Sequence, residues 1–352
     1  MVGSMRAIKW FHVLVLILVL FNTRAGLAAV ILQYHHVSEK LPAVTSVSEA
    51  TFLEHLNFLK SEQFNVIALD TLITQLQAGN ALPAKTVAIT FDDGYLNNME
   101  AAAPLLEQFG YPYTIFVNPK LIDEKKGYVM SWEQLRQLAK RGALIANHSA
   151  QHDYLHHKLA GESQTQWRNR VREDLLWSQA RIKAEVGHDL PYIAYPYGEF
   201  NRPLQALVTE LNLVGIGQHS GAAGPDSDFT RLPRFPASGI YASLKTLKTK
   251  LYSLPFSLAQ AKYQDSVTDN RTPSITLTFK EMDFYQSQFA CFVSGAGKAE
   301  LTWQGDKAVT ITTPKPLSNG RSRYNCTAPS KKQSGQFYWY SQPWVITDAS
   351  QH

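Results

Sequence analysis

Two adjacent carboxylates, Asp92 and Asp93, stand in the run Thr90-Phe91-Asp92-Asp93-Gly94, directly after the apolar stretch Val87-Ala88-Ile89. Neighbouring side chains on a strand point to opposite faces, so at a strand's end one carboxylate can face a metal and the other a water that attacks a substrate. Two carboxylates with divided roles are hydrolase chemistry; a plain Asp-Asp-Gly turn is the structural alternative. In His148-Ser149-Ala150-Gln151-His152 the histidines stand four apart, which on a helical turn puts both rings on one side. Two imidazoles and a carboxylate such as Asp93 make a ligand set for a catalytic zinc, which keeps a further position for water. A surface or core pair is the alternative, the more so because His156 and His157 follow closely. Both motifs come after apolar, strand-like runs, residues 87–90 and 144–146. Taken together they point to metal-assisted hydrolysis.

A third element, Ala194-Tyr195-Pro196-Tyr197-Gly198, also ends a strand-like run. The Thr-Phe-Asp-Asp-Gly, His-x-x-x-His and Pro-Tyr-Gly boxes, in this order, resemble those of the polysaccharide deacetylases of carbohydrate esterase family 4, the NodB-homology domain. The resemblance spans residues 30–236, and the opening Tyr34-His35-His36-Val37 is similar to the branch that contains the biofilm poly-N-acetylglucosamine deacetylases. It does not reach the C-terminal portion.

The resemblance implies that Asp92 is the general base and that Asp93, His148 and His152 hold the metal. A bound metal acidifies its water and polarises a carbonyl, and metal plus a backbone N–H can stabilise the oxyanion. In the family that N–H belongs to the residue after proline in the third box, here Tyr197. For the acid that protonates the departing amine the reading is His35, because Ile31-Leu32-Gln33-Tyr34-His35 resembles a strand-plus-histidine motif that ordinary members carry near their C-terminus. His36 and His219 are the alternatives. Tyr195, Pro196, Tyr197 and Trp132 are the candidate substrate contacts. One departure is plain: many members place an arginine at the start of the third box, and this chain has Ala194. Arg234 is the candidate replacement for orienting Asp92, an exposed surface arginine being the alternative. Asn147 is a milder departure. Zinc suits two histidines and an aspartate, and so do cobalt and nickel.

Arg6 and Lys9 precede an almost wholly apolar run, residues 10–21, and small residues follow at Ala25, Gly26, Ala28 and Ala29. This is the pattern of a secretory signal peptide, with cleavage expected near Ala28 or Ala29. The run is short of the roughly 20 residues of a membrane span, which favours cleavage over the alternative of an uncleaved anchor, and no other segment could span a bilayer, so no membrane span is expected after cleavage. Export into the periplasm or beyond also suits the only two cysteines, Cys291 and Cys326, as one disulfide. The net charge of +5 is dispersed, and no Lys/Arg run is interleaved with aromatics as single-strand binding requires, which argues against a nucleic-acid partner. Oligomeric state is left open.

Positioning these groups falls to an alternation of strands and helices. Residues 52–63, 132–141 and 167–186 carry helical apolar spacing. Strand-like runs at 66–69, 87–90, 113–117 and 144–146 lie between. That β-then-α rhythm predicts a parallel α/β arrangement; the family makes it a distorted (β/α)7-type barrel with its active residues at strand C-termini. From about residue 263 short β-type runs take over, at 274–279, 299–303, 308–312 and 336–340. The expected organisation is a signal peptide over 1–29, a catalytic domain over 30–262 and a small all-β, sandwich-like domain over 263–352. Phe337-Tyr338-Trp339-Tyr340 and Trp344 are read as core or domain-interface packing before a sugar-stacking platform. The expected activity is removal of acetyl from N-acetylglucosamine units of a glycan: poly-N-acetylglucosamine, peptidoglycan or chitin oligosaccharide. The alternatives are an O-acetyl esterase and a non-catalytic glycan-binding module on a degenerate barrel.

Overall fold

The computed structural model describes residues 25–26 and 28–348. Nearly all of the expected signal peptide lies outside them. Among the described residues the central sheet has eight strands, seven of them along one path: β1 (Ala29–Tyr34), β2 (Thr86–Phe91), β3 (Tyr113–Val117), β4 (Leu144–Asn147), β5 (Tyr192–Ala194), β6 (Val214–Ile216) and β7 (Phe235–Pro236). Their spatial order is β6-β5-β4-β3-β2-β1-β7, and every pairing is parallel. A parallel bridge between Ile216 and Leu232 brings β6 to the chain entering β7, so the curved sheet is drawn into a distorted (β/α) barrel. Parallel strands covered on both faces need unbroken apolar runs. β1, β2, β3 and β5 are accordingly buried at every position.

The helices outside the sheet start where the sequence supplies caps. Ser131 and Ser163 each form a capping box, with Gln134 and Gln166 respectively, at the heads of Trp132–Lys140 and Gln164–Val186, satisfying amide groups a helix start leaves open. The run 66–69, expected as a strand, is divided. Asn65–Val66 pairs with β2, and Leu69 begins the helix Leu69–Gln77. Leu69, Leu72, Ile73 and Leu76 recur at helical spacing and are all buried, and that longer amphipathic pattern overrides the short β-type run.

The C-terminal unit packs a four-stranded sheet against a five-stranded one. Ile275, Leu277, Phe279, Val309 and Ile311 from the first meet Cys291, Tyr324, Cys326 and Trp344 from the second in one apolar cluster. Cys291 and Cys326, opposite each other on neighbouring antiparallel strands, form a disulfide. The strand Leu258–Lys262 pairs with Ser274–Phe279, so the β-rich unit begins ahead of residue 263. Strand Phe337–Ile346 forms the seam with the barrel. Trp339 packs edge-on against Phe235 of β7, while Tyr338, Tyr340 and Trp344 face the β-rich core. Among the described residues no helix is long and apolar enough to cross a membrane.

Candidate active site

Three of the chemically competent residues sit on or next to the last ladder bond of a barrel strand. The Asp92 N–H donates to Tyr34 O, the His148 N–H to Val117 O and the Tyr195 N–H to Ile216 O. The sheet thus fixes each backbone immediately before it turns away. Asp93 and Gly94 follow with φ of 71° and 63°. At Gly94 an added Cβ would meet Val117 Cγ1 at 2.9 Å, so the turn requires a glycine.

Asp93, His148 and His152 converge. Asp93 Oδ1 is 3.3 Å from His148 Nε2 and 3.4 Å from His152 Nε2. The expected helical turn between the histidines is absent. Residues 148–152 form a loop in which Ser149 and His152 take φ of 66° and 65°. The reason lies in side chains that tie this backbone down: Asn147 Oδ1 accepts from the Ser149 N–H, Asn118 Nδ2 donates to His148 O, and Asp174 accepts from the Ala150 N–H. Asn147 itself is anchored by donating to Leu175 O.

The donor set fits a divalent metal. His148 Nδ1 stands 2.7 Å from Ala194 O; a carbonyl only accepts, so Nδ1 carries the proton and Nε2 presents its lone pair. That Nε2 atom is fully buried and has no hydrogen-bond partner. Two lone-pair atoms, His148 Nε2 and Asp93 Oδ1, therefore face each other at 3.3 Å, an arrangement that a shared cation relieves. The Ala194 carbonyl fixes the ring as outer partners of metal-binding histidines do.

Asp92 points to the other side and is fully buried. Arg234, also fully buried, grips it with both terminal nitrogens, Nη1 to Oδ1 at 2.7 Å and Nη2 to Oδ2 at 2.8 Å. Arg234 Nε donates to Gly217 O and Nη1 also to Thr90 Oγ1. Gln33 Nε2 adds a bond to Asp92 Oδ2 at 2.7 Å, and Gln218 Nε2 lies 3.4 Å from the same oxygen. Burial by itself would raise this carboxyl's pKa; the charge of Arg234 and its two bonds to the carboxylate outweigh it and hold Asp92 ionised, well below the usual carboxylate range. Gln33 and Gln218 escaped sequence reasoning. A signal existed for Gln33, the one amide in the otherwise apolar Val30-Ile31-Leu32-Gln33-Tyr34. Gln218 had none beyond its place just after β6.

The three candidate acids differ in placement. His35 Nε2 is 3.8 Å from Asp92 Oδ2 and its side chain is 20% exposed. His36 stacks on Tyr95 with ring centroids 3.7 Å apart and meets Asn97 Nδ2 at 3.0 Å. His219 is buried beside Phe200. Burial first, then Arg231, Arg323 and Arg234, push its pKa far down, which disfavours the imidazolium form that a general acid needs.

Tyr197 follows Pro196 at φ 61°. Its ring lies edge-on to His152 at 4.4 Å and stacks on Tyr154 at 4.0 Å. The other expected substrate contacts require correction. Tyr195 is fully buried with its hydroxyl donating to Thr230 O, and Pro196 is buried beneath the turn. Trp132 lies in the barrel's apolar cluster, its indole N–H donating to Asp123 and Arg181 covering its ring. An aromatic ring on the first turn of an amphipathic helix is drawn to the core, and none of these three offers a face to a sugar.

Residues 79–216 match the polysaccharide deacetylase family. A Bacillus subtilis protein provisionally named as a polysaccharide deacetylase is 26% identical over 211 residues, 59% of this chain and 71% of that protein. The poly-β-1,6-N-acetyl-D-glucosamine N-deacetylase of Escherichia coli K12 is 22% identical over 209 residues, 49% of this chain. The match spans only 31% of that longer enzyme. The Streptococcus pyogenes deacetylase PplD, solved with acetate, superposes with a TM-score of 0.58 at 19% identity over 64% of this chain and 98% of its own; at that identity the likeness concerns the fold.

Proposed function

We propose that the chain, whose residues 79–216 match the polysaccharide deacetylase family, is an exported N-deacetylase acting on N-acetylglucosamine units of a glycan. Poly-N-acetylglucosamine is the favoured polymer, since an enzyme named for that substrate is among its relatives. The observation that carries the reading is the side-by-side pair of carboxylates with separate partners: Asp92 bound by Arg234, and Asp93 beside His148 and His152.

Asp93, His148 and His152 would hold a divalent metal, zinc by preference for this donor set. When bound, such a metal acidifies water and polarises the acetamide carbonyl. Asp92, kept ionised by Arg234, accepts the water's proton through its carboxylate. Gln33 and Arg234 prevent that carboxylate from turning, so the accepting oxygen stays in place as attack begins. The Tyr197 N–H, on the turn after Pro196, is the backbone donor for the developing oxyanion. His35, 3.8 Å from Asp92, delivers a proton to the departing amine. Tyr197, with its ring half-exposed beside His152, is the remaining substrate contact.

Acetate release by the purified chain from N-acetylglucosamine oligomers, poly-N-acetylglucosamine and peptidoglycan, with chelator and with added zinc, tests this. Release that chelator abolishes and zinc restores is the expected result. A folded, zinc-loaded chain that frees no acetate from any of them rules the N-deacetylase out.

A further inference from the structure

We infer that a second divalent cation binds between His156, His157 and Glu199, on the flank of the turn that carries Tyr197. One ring nitrogen of each histidine and one carboxylate oxygen of Glu199 lie within 4.8 Å of one another. His156 Nε2 is 3.6 Å from Glu199 Oε2. Ligand atoms at zinc-binding distance in a tetrahedron are separated by roughly 3.4 Å, so this pair already stands near ligand spacing. The His157 ring, stacked on Tyr154, is exposed to solvent on its other side.

The second observation is the state of His156. It is only 7% exposed, and neither ring nitrogen has a hydrogen-bond partner. Leaving a buried donor or acceptor unmet carries its full desolvation cost, and a structural histidine in a core is ordinarily bonded at one nitrogen at least. A cation at Nε2 removes that cost at the atom facing Glu199.

Glu199 is held for the purpose. Arg321, from the C-terminal unit, donates to Oε1 and leaves Oε2 on the side of His156. Carboxylate ligands are commonly held this way by an outer partner. The arginine's charge also opposes a nearby cation, which makes this the weaker of the two metal sites. Two imidazoles and one carboxylate suit zinc, nickel or copper rather than calcium or magnesium.

Such a cation would clamp two segments. Tyr154 is stacked between His157, at 4.7 Å, and Tyr197, at 4.0 Å, so a bond from His157 to Glu199 closes a ring of contacts around the Pro196–Gly198 turn. Binding to the folded chain alone then raises thermal stability, by an amount that grows with the logarithm of free cation once it exceeds the dissociation constant.

Zinc titrated into the metal-free, tag-free chain against a chromophoric chelator reads the stoichiometry without turnover, so the result is independent of activity on any glycan. Wild type is expected to bind two equivalents, the second about tenfold or more weakly. His148→Ala should keep only the weaker one and should still gain thermal stability on adding zinc. His157→Ala, which removes an exposed ring and leaves the core intact, should keep only the tighter one, as should His156→Asn. A single equivalent in wild type, a second equivalent that persists when both of these substitutions are combined, or a His148→Ala chain that zinc does not stabilise overturns the site.

Discussion

Arg231 and Arg234 stand three residues apart on the approach to β7, both are buried, and they are treated in opposite ways. Arg234 meets a carboxylate, Asp92, through two bonds, and a backbone carbonyl and a hydroxyl take its other N–H groups. Arg231 is met by neutral acceptors: Tyr263 Oη, Gln342 Oε1 and Ser341 O, all from the C-terminal unit. A buried charge opposed by an equal one fixes a group in a chosen ionisation state. A buried charge satisfied by dipoles is a fastening, since any segment that withdrew would leave a guanidinium unmet. On the proposed mechanism Arg234 therefore serves the chemistry and Arg231 the seam, although one short segment, Arg231-Leu232-Pro233-Arg234, supplies both.

Asp92→Asn gives the largest effect on activity. A general base contributes roughly 10²- to 10⁴-fold, so acetate release should fall by about that factor while zinc affinity at Asp93, His148 and His152 holds; metal analysis beside the kinetics separates the two. Loss of zinc together with activity would merge the two carboxylates into one site and end the division of roles.

Arg234→Met comes next and tests the pairing itself. It strands a buried carboxylate, which costs about 3–5 kcal/mol when a partner is removed, and denaturant unfolding reads the loss. Without the guanidinium the Asp92 pKa rises, so the acidic limb of the activity profile moves to higher pH. If both the limb and the stability match wild type, the bidentate contact has no part in catalysis.

How much of this the sequence discloses follows the same division. Asp92, Asp93, His148 and His152 are legible because short motifs at strand ends carry their own geometry, and the apolar runs before them mark the strands. The loop form of 148–152 is not legible, because it depends on Asn118 and Asp174, polar groups from distant segments that compete with the helix. Arg234 stands far from Asp92 in sequence, so its bond depends on β7 lying beside β1, a long-range pairing with no local signature. The aromatic ring of Trp132 is equally ambiguous by type, as a core filler and a sugar platform use the same residue. The β-rich unit is visible by alternation, whereas the 10-residue strand Gly320–Pro329 has no counterpart among the runs the sequence suggests and Phe337–Ile346 extends well beyond the run at 336–340.

Arg231→Met probes the fastening. It takes one donor from each of Tyr263, Gln342 and Ser341, with Gln342 keeping the Tyr340 hydroxyl, but also removes a buried charge that has no carboxylate bonded to it, and the two partly offset. The expected net loss is about 1–3 kcal/mol, read as a lower denaturation midpoint. Activity per folded molecule should stay within about twofold, far inside the range expected for loss of the base. A fall comparable to that of Arg234→Met would show that the seam is continuous with the catalytic machinery, and the contrast between the two arginines would dissolve.

The smallest effect lies at a half-buried carboxylate with no such guanidinium. Asp174 accepts the Ala150 N–H that helps shape the histidine loop. Burial first, against the opposing effect of that bond, raises its pKa from 3.8 to about 6. The sign follows directly. Between those two values the folded chain holds the proton more often than the unfolded one, so stability falls as pH rises from about 4 to about 6 and remains reduced above. The full shift corresponds to about 3 kcal/mol, and partial exposure leaves about 1–2 kcal/mol of that. Asp174→Asn keeps an oxygen for Ala150 and cannot ionise. It should therefore unfold at higher denaturant than wild type at pH 8 and match it near pH 4. A variant less stable than wild type at pH 8 would mean that the ionised Asp174 is itself required to hold the loop, which would place it with Asp92 among the carboxylates whose charge the fold maintains.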